Sequence, residues 1–281
     1  MEKIDISIIT PVFNNVAFIE KCIQNVIDQN VQGIEHLIMD GASSDGTVEV
    51  IKLYAEKYAH IRFVSERDNG QSNAMNKGIA LAKGDFITFL NVDDFFSKNT
   101  LSEVIEFIQL SPKIDFWVGA CNVLLPDQSI QYINRPSKLK PWHLLSGYFL
   151  PVNPSAYFYR KSLHEQVGGY NENNHNNMDI EFLIRVSFVA KMKYIASVWG
   201  NFRLLPGTKT VADEEAGLLA NRKQDLYNSI LNEASFSIRL KTAGIIIQQR
   251  INRLLFKLRK KLILPFDMVY FKLKKELSRG K

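Results

Sequence analysis

Asp93 and Asp94 stand side by side at the end of an apolar run, Phe86-Ile87-Thr88-Phe89-Leu90. Adjacent carboxylates repel and are costly to bury, so a chain that ends a core strand on them is expected to hold them at a rim. Hard divalent cations take oxygen ligands, often one or two carboxylates plus substrate phosphates. On local sequence alone the pair fits such a cation site and, equally, the acidic lead-in to a helix near Asn99. Three further clusters could do chemistry. Asp40 closes a second apolar run, and Asp45-Gly46-Thr47 then opens a helix whose N-terminus either favours an anion or is simply well capped. The stretch Arg67 to Gly78 is dense in hydrogen-bonding side chains, among them Asp68, Asn69, Gln71, Ser72, Asn73, Asn76 and Lys77. Asp179 begins a helix and shares a face with Phe182 and Val186, either as a dipole contact or as a general base facing a cleft.

The elements that must position these residues alternate. Short β-branched runs at Ile4–Ile9, His36–Met39, Ile61–Val64 and Phe86–Leu90 read as strands. Between them lie amphipathic segments: one capped by Asn14 with Phe18, Cys22, Ile23, Val26 and Ile27 inward, one from Asp45, and one from Asn73 to Ala82. Strands that bury both faces imply an α/β fold with a mostly parallel sheet, whose ligands sit beyond the carboxyl ends of the strands. Thr10-Pro11, Asp40-Gly41, Ser65-Glu66 and Asn91-Val92-Asp93-Asp94 all fall at those ends. Further on, helices are expected over Leu101–Ile108, Asp179–Ala190 and from Asp213. Strands are expected over Asp115–Leu124, Ala156–Tyr159 and Tyr194–Val198, with a loop from Phe202 to Thr210.

Taken together and in order, these segments resemble the family 2 glycosyltransferases of GT-A fold, a Rossmann-like sheet flanked by helices. The resemblance rests on Ser7 to Asn14, Asp40-Gly41 with Asp45-Gly46-Thr47, Asn73 to Gly78 with Ala82 to Asp85, and Phe89 to Asp94. It continues through Tyr157 to Lys161, Gly168 to Glu172 and Asp179 to Arg185, spanning roughly residues 4 to 210. It implies a glycosyltransferase domain over 1–212, with a nucleotide-binding half to residue 100 and an acceptor half after it. A helical basic extension would occupy 213–281. The implied nucleotide-sugar contacts are Thr10, Pro11, Phe13, Asp40 (toward uracil), Asp68, Asn69, Gly70, Lys77, Asn91 and Asp93. Asp93 and Asp94 would hold Mn²⁺ or Mg²⁺ across the donor diphosphate, and Asp179 would act as catalytic base of an inverting transfer. Glu181, the fallback, lies about 200° away round a helix. The implied partners are a nucleotide-sugar donor, UDP-linked first, and a saccharide or lipid-linked saccharide acceptor in cell-surface polysaccharide assembly.

The sequence departs from that pattern twice. Asn91 stands where many members carry an acid, and Leu205 where many carry a histidine. Arg203 and Lys209 are then the cations available for the diphosphate, or else loop surface charges. His175 near Asp179 reads as a loop histidine. Of Trp142, Tyr148, Phe149 and Tyr157, most are expected in the core, and Trp142 is retained as an acceptor contact. Two rival functions are weighed. A sugar nucleotidyltransferase would want a Gly-rich basic loop after the first strand, where Thr10-Pro11-Val12-Phe13-Asn14-Asn15 stands instead. A catalytically silent, membrane-bound sugar-nucleotide binder is kept open by Asn91 and Leu205.

Composition bounds the rest. The chain has 281 residues, 46% hydrophobic, enough for a sizeable core. Cys22 and Cys121 lie far apart with no zinc spacing and read as reduced, buried thiols. No signal peptide or bilayer-spanning run is read, so a cytoplasmic setting is expected. The net charge of +6 is uneven: residues 239–281 carry 13 Lys/Arg against Asp267 and Glu276, which leaves the remainder at about −5. There Leu254, Leu255, Leu258, Leu262 and Ile263 fall near helical spacing among basic residues, with a break at Pro265. This suits amphipathic helices lying on an anionic membrane surface, peripherally on the inner face of the cytoplasmic membrane, or packing on the domain. Nucleic acid is not an expected partner, because the rest of the chain is acidic and no recognition motif is present.

Overall fold

The computed structural model describes residues 4–174 and 177–277, with side chains through Phe256 apart from Leu219. The strand–helix alternation opens with β1 (Ile6–Val12), α1 (Val16–Ile27), β2 (Ile34–Asp40), α2 (Thr47–Lys57), β3 (Ile61–Ser65), α3 (Gln71–Leu81) and β4 (Phe86–Phe89). It continues through β5 (Phe95–Phe96), α4 (Thr100–Leu110), β6 (Phe116–Leu124), β7 (Ile130–Asn134) and α5 (Pro141–Leu144). Then come β8 (Tyr157–Arg160), α6 (Leu163–Val167), α7 (Met178–Ser187), β9 (Met192–Arg203), α8 (Lys209–Glu215), α9 (Leu219–Glu233) and α10 (Phe236–Leu277).

All these strands join one sheet in the order β3-β2-β1-β4-β8-β6-β9-β5, with β7 pairing the end of β6 from Cys121 to Leu124. Strands β1 to β4 are mutually parallel and so deliver their carboxyl ends to one edge. Strand β8 enters antiparallel between β4 and β6, while β6 and β9 run parallel.

Period-two alternation divides the core between the two faces of the sheet. Ile6, Ile8, Ile38, Trp117 and Phe158 pack on one side with Ile19, Cys22, Ile23 and Val26 of α1. Ile9, Leu37, Met39, Phe116 and Tyr157 pack on the other with Met75 and Ile79 of α3 and Phe182 of α7. A third, smaller cluster ties α5, α7 and α9 together through Leu144, Leu145, Ile180, Ile184 and Tyr227.

Three features differ from the sequence reading. Strand β9 runs on to Arg203 and α8 begins at Lys209, which shortens the expected 202–210 loop. Strands β5 and β7 are additional. Helix α10 continues through Pro265 instead of breaking there, because a proline inside a helix forfeits one backbone bond and can kink the helix without ending it. Among the described residues no helix is long and apolar enough to cross a membrane.

Candidate active site

Beyond the carboxyl ends of β1 and β4 lies a cleft of about 430 Å³. Pro11, Val12 and Phe13 line it from the end of β1, Asp68, Gly70, Gln71 and Ala74 from the loop and start of α3, and Asn91, Val92 and Asp93 from the end of β4. Phe202, Thr208, Lys209 and Thr210 close it from β9 and α8. Phe13 is 62% exposed, a costly placement for a phenyl ring unless something stacks on it. Gly70 sits at φ 104°, a conformation an L side chain disfavours, and it starts α3 abruptly beneath the cleft.

A smaller recess of about 130 Å³ adjoins the cleft. It contains Asp179, Met178, Met75 and the segment Val152-Asn153-Pro154. Gln71, Asn91, Phe202, Lys209 and Thr210 line both spaces, so they form the wall at which the two meet.

The two adjacent aspartates point in different directions. Asp93 faces the cleft. Its carboxyl is raised above the usual carboxylate range by burial, against the opposing charge of Arg203. Asp94 is 1% exposed. One of its oxygens accepts from Asn153 Nδ2 at 2.7 Å and Asn91 Nδ2 at 3.0 Å, and the other from the Arg203 backbone N–H at 3.1 Å. Both oxygens of Asp94 are engaged by protein donors and only Asp93 lines the cleft, so the two carboxylates do not face it together as the sequence reading expects. The role of Asp94 in the geometry is to turn Asn91: the amide N–H₂ faces Asp94, which leaves Asn91 Oδ1 toward Gln71 Nε2 at 3.2 Å and the cleft. Asn153 was not singled out from sequence, since its partner lies 59 residues away.

Asp179 stands in the first turn of α7, where its Oδ1 accepts the Ile180 N–H at 2.8 Å. Enclosure raises its carboxyl above the usual range, with Lys223 and Lys209 acting in the opposite direction. Lys209 in turn is lowered by burial, against the attraction of Asp213.

The family model described as Glycosyl transferase family 2 matches residues 7–168, more than half of the chain. The chain belongs to that family. Among its relatives is the uncharacterized glycosyltransferase Rv1514c of Mycobacterium tuberculosis (strain ATCC 25618 / H37Rv), 29% identical over 200 residues, which cover 70% of this chain and 74% of that protein. The uncharacterized glycosyltransferase YibD of Escherichia coli (strain K12) is 32% identical over 117 residues, 42% of this chain, and the match spans only 33% of that relative's length. Two solved structures share the fold at low identity. S. aureus TarS 1-349 in complex with UDP-GlcNAc superposes with a TM-score of 0.63 at 14% identity, covering 85% of this chain and 79% of that 1-349 chain. The mannosyltransferase PcManGT from Pyrobaculum calidifontis, in complex with GDP-Man and Mn²⁺, gives a TM-score of 0.58 at 15% identity, covering 90% of this chain and 81% of that one.

Within this family 2 chain, several residues expected at the donor site are committed elsewhere. Thr10 shares the strand face of Ile6 and Ile8, so it is sealed under α1, with its hydroxyl 2.9 Å from His36 Nε2. Asp40 is buried and accepts the Ser43 N–H and the Ser43 and Ser65 hydroxyls, holding a loop that turns at Ala42 with φ 63°. Asn69 lies on the exposed loop, with its backbone N–H directed to Asn73. Lys77 is drawn to Glu66 at 2.6 Å and to the Arg67 carbonyl. Arg203 donates from Nε to the Asp93 carbonyl, and its guanidinium lies over the Phe18 and Phe95 rings. It braces the Asp93 turn from behind.

On the acceptor side, Glu181 accepts from Asn171 and Asn174 and pairs with Arg185, so it anchors the preceding loop and leaves the recess to Asp179. Trp142 lies beneath the Lys241 ammonium, 4.4 Å away, on the α10 side of α5. Tyr157 belongs to the core. His175 lies outside the described residues. Conversely, Thr208 and Thr210 line the cleft although the sequence reading places them only in a loop, while Gln71, one of the hydrogen-bonding side chains of the Arg67–Gly78 stretch, lines both spaces.

Proposed function

We propose that this chain transfers a sugar from a nucleoside diphosphate donor, UDP-linked in the first instance, to a hydroxyl of a saccharide or lipid-linked saccharide acceptor in cell-surface polysaccharide assembly, inverting the anomeric carbon. The observation that carries the reading is the shared wall. One space presents Asp93, the other presents Asp179, and Asn91, Phe202 and Lys209 stand where they join. A donor in the larger cleft and an acceptor in the smaller recess would meet there. TarS and PcManGT, which share the fold, are solved with UDP-GlcNAc and with GDP-Man, which supports a nucleotide-sugar donor for this chain.

In this arrangement Phe13 and Pro11 offer an apolar surface to the base, and Asp68 a hydrogen-bond acceptor to the nucleoside. Asp179 takes the proton from the acceptor hydroxyl as its oxygen bonds to C1. The bond from C1 to the phosphate oxygen breaks with its electron pair on the departing diphosphate, and Lys209 sets positive charge beside that group. An enclosed carboxyl with a raised proton affinity is a better base than a solvated one.

The residues present fit a divalent cation. Asp93 and the Asn91 carbonyl are hard oxygen donors on the cleft wall. Such a sparse set leaves positions for phosphate oxygens and water, as Mg²⁺ and Mn²⁺ prefer. When bound, the cation would offset the charge that develops on the diphosphate.

The test is a calorimetric titration of UDP with and without Mn²⁺, on the wild-type chain and Asp93→Ala. A panel of UDP-, GDP- and dTDP-sugars is then screened for nucleotide release. Metal-dependent binding lost in Asp93→Ala supports the reading. Absence of binding by all three nucleoside diphosphates would refute it.

A further inference from the structure

From Phe236 to Leu254 helix α10 has two unlike sides; beyond that Leu255 and Phe256 are exposed off the outer side as well. One is seated on the enzyme: Thr242 is buried, Ile238 joins the cluster of Leu144, Leu145, Ile180 and Ile184, and Lys241 and Arg253 lie over the Trp142 and Tyr148 rings. The other side is bare. Phe236, Leu240, Ile247, Ile251 and Leu254 are all exposed, from 45% at Ile251 to 71% at Phe236. At about 100° per residue these five fall within an arc of roughly 60°, nearly opposite Ile238 and Thr242. The stripe runs about 27 Å along the helix axis at 1.5 Å per residue. Arg239 and Arg250 stand along one flank of it.

A stripe of this length does not stay in water without something to cover it. A second copy would bring two segments of net +11 side by side, which their mutual repulsion opposes. A surface of negative charge with an apolar layer beneath it matches both features at once. No described helix can cross such a layer, so the contact would lie in its plane.

We propose that the outer stripe of α10 docks this chain on an anionic lipid bilayer, with Phe236, Leu240, Ile247, Ile251 and Leu254 at the acyl boundary and Arg239 and Arg250 at the phosphates. The opposite side of the same helix packs on α5 and, through Ile180 and Ile184, on the helix that carries Asp179. Docking therefore fixes the Asp179 recess at a set height above the lipid. That orientation serves a lipid-linked acceptor, a consequence that rests on the proposed transfer; the docking itself does not.

The experiment is flotation of the full-length chain with vesicles of phosphatidylcholine alone or mixed with phosphatidylglycerol, at low and high salt, without nucleotide or acceptor. The expected result is binding only to the mixed vesicles, weakened by salt. The Arg239→Gln, Arg250→Gln pair should weaken it about 25-fold, at about fivefold per charge. Ile247→Glu with Leu254→Glu should abolish it while far-UV circular dichroism and the melting temperature stay unchanged, since neither side chain is packed in the core. Failure to float with the mixed vesicles, or equal binding to both kinds, overturns the proposal. So does a lipid-free dimer in sedimentation velocity that the glutamate pair dissociates, which would assign the stripe to a second copy. None of these outcomes depends on whether sugar transfer occurs.

Discussion

Asp94→Ala separates a scaffold from a ligand. The substitution leaves three donors facing an enclosed space: Asn153 Nδ2, Asn91 Nδ2 and the Arg203 N–H, formerly 2.7, 3.0 and 3.1 Å from the carboxylate. Each unpaired buried donor costs about 1–3 kcal/mol, so the three together give about 3–9 kcal/mol. Against that, the mutation removes a carboxyl whose pKa burial and then Asp93 have pushed up to about 7, a sign that its charged form is disfavoured where it lies. The net expectation is a loss of about 2–4 kcal/mol, a large part of a typical stability of about 5–15 kcal/mol. Urea unfolding should show it as a lower midpoint at unchanged slope. Asp93→Ala, which removes no such set of buried hydrogen bonds, should unfold within about 0.5 kcal/mol of wild type yet lose metal-dependent UDP binding. If instead Asp94→Ala left stability intact while Asp93→Ala destabilised the chain, the assignment of the two carboxylates would be reversed.

Other expectations follow from the same geometry. Asp179→Asn should lower kcat by about 10²–10⁴-fold while calorimetric UDP affinity stays within error. As the proposed base, Asp179 would act deprotonated and its pKa is raised, so kcat/KM should fall as pH drops through a value above the ordinary carboxylate range. Lys223→Gln, which removes an opposing positive charge, should move that acid limb to higher pH. Lys209→Ala should reduce kcat by one to two orders of magnitude, about 1.4–2.8 kcal/mol, with partial recovery in Lys209→Arg measured by nucleotide release. Gly200→Ala places a Cβ 2.3 Å from the Ser155 hydroxyl and 2.9 Å from its backbone carbon, so a fall in melting temperature of several degrees is expected by calorimetry.

The first four strands and their helices were legible because each apolar run is local and closed by its own turn residues. The register that brings Pro11, Asp40 and Asn91 to one edge follows from parallel pairing. The parts that were not legible depend on distant partners. Strand β5 is two residues long and exists through its pairing with Gly200 and Asn201 of β9, which no propensity at Phe95-Phe96 encodes. Strand β7 pairs the end of β6 and carries exposed Ile130 and Tyr132, without the alternation that marks a half-buried strand. At the candidate site, motif position leads to a turn on the cleft wall but not to the direction of each side chain. Asp93 and Asp94 are equivalent as letters, and only the approach of Asn153 and Arg203 decides which one turns inward. Thr10 was assigned to the nucleotide although strand alternation already put it with Ile6 and Ile8, a signal present in the sequence that the motif reading overrode.

The bracing of the Asp93 turn by Arg203 has a consequence for how the enzyme comes into being. Some 110 residues separate the Arg203 side chain from the carbonyl it holds. A chain leaving the ribosome exposes β1 to β4 early, and these can associate as soon as they emerge. The turn proposed to receive the donor stays unbraced by Arg203 until β9 has been made and has paired with β6 and β5. A ribosome pausing before codon 203 would thus hold β1 to β4 outside it while the Asp93 turn still lacked its Arg203 brace.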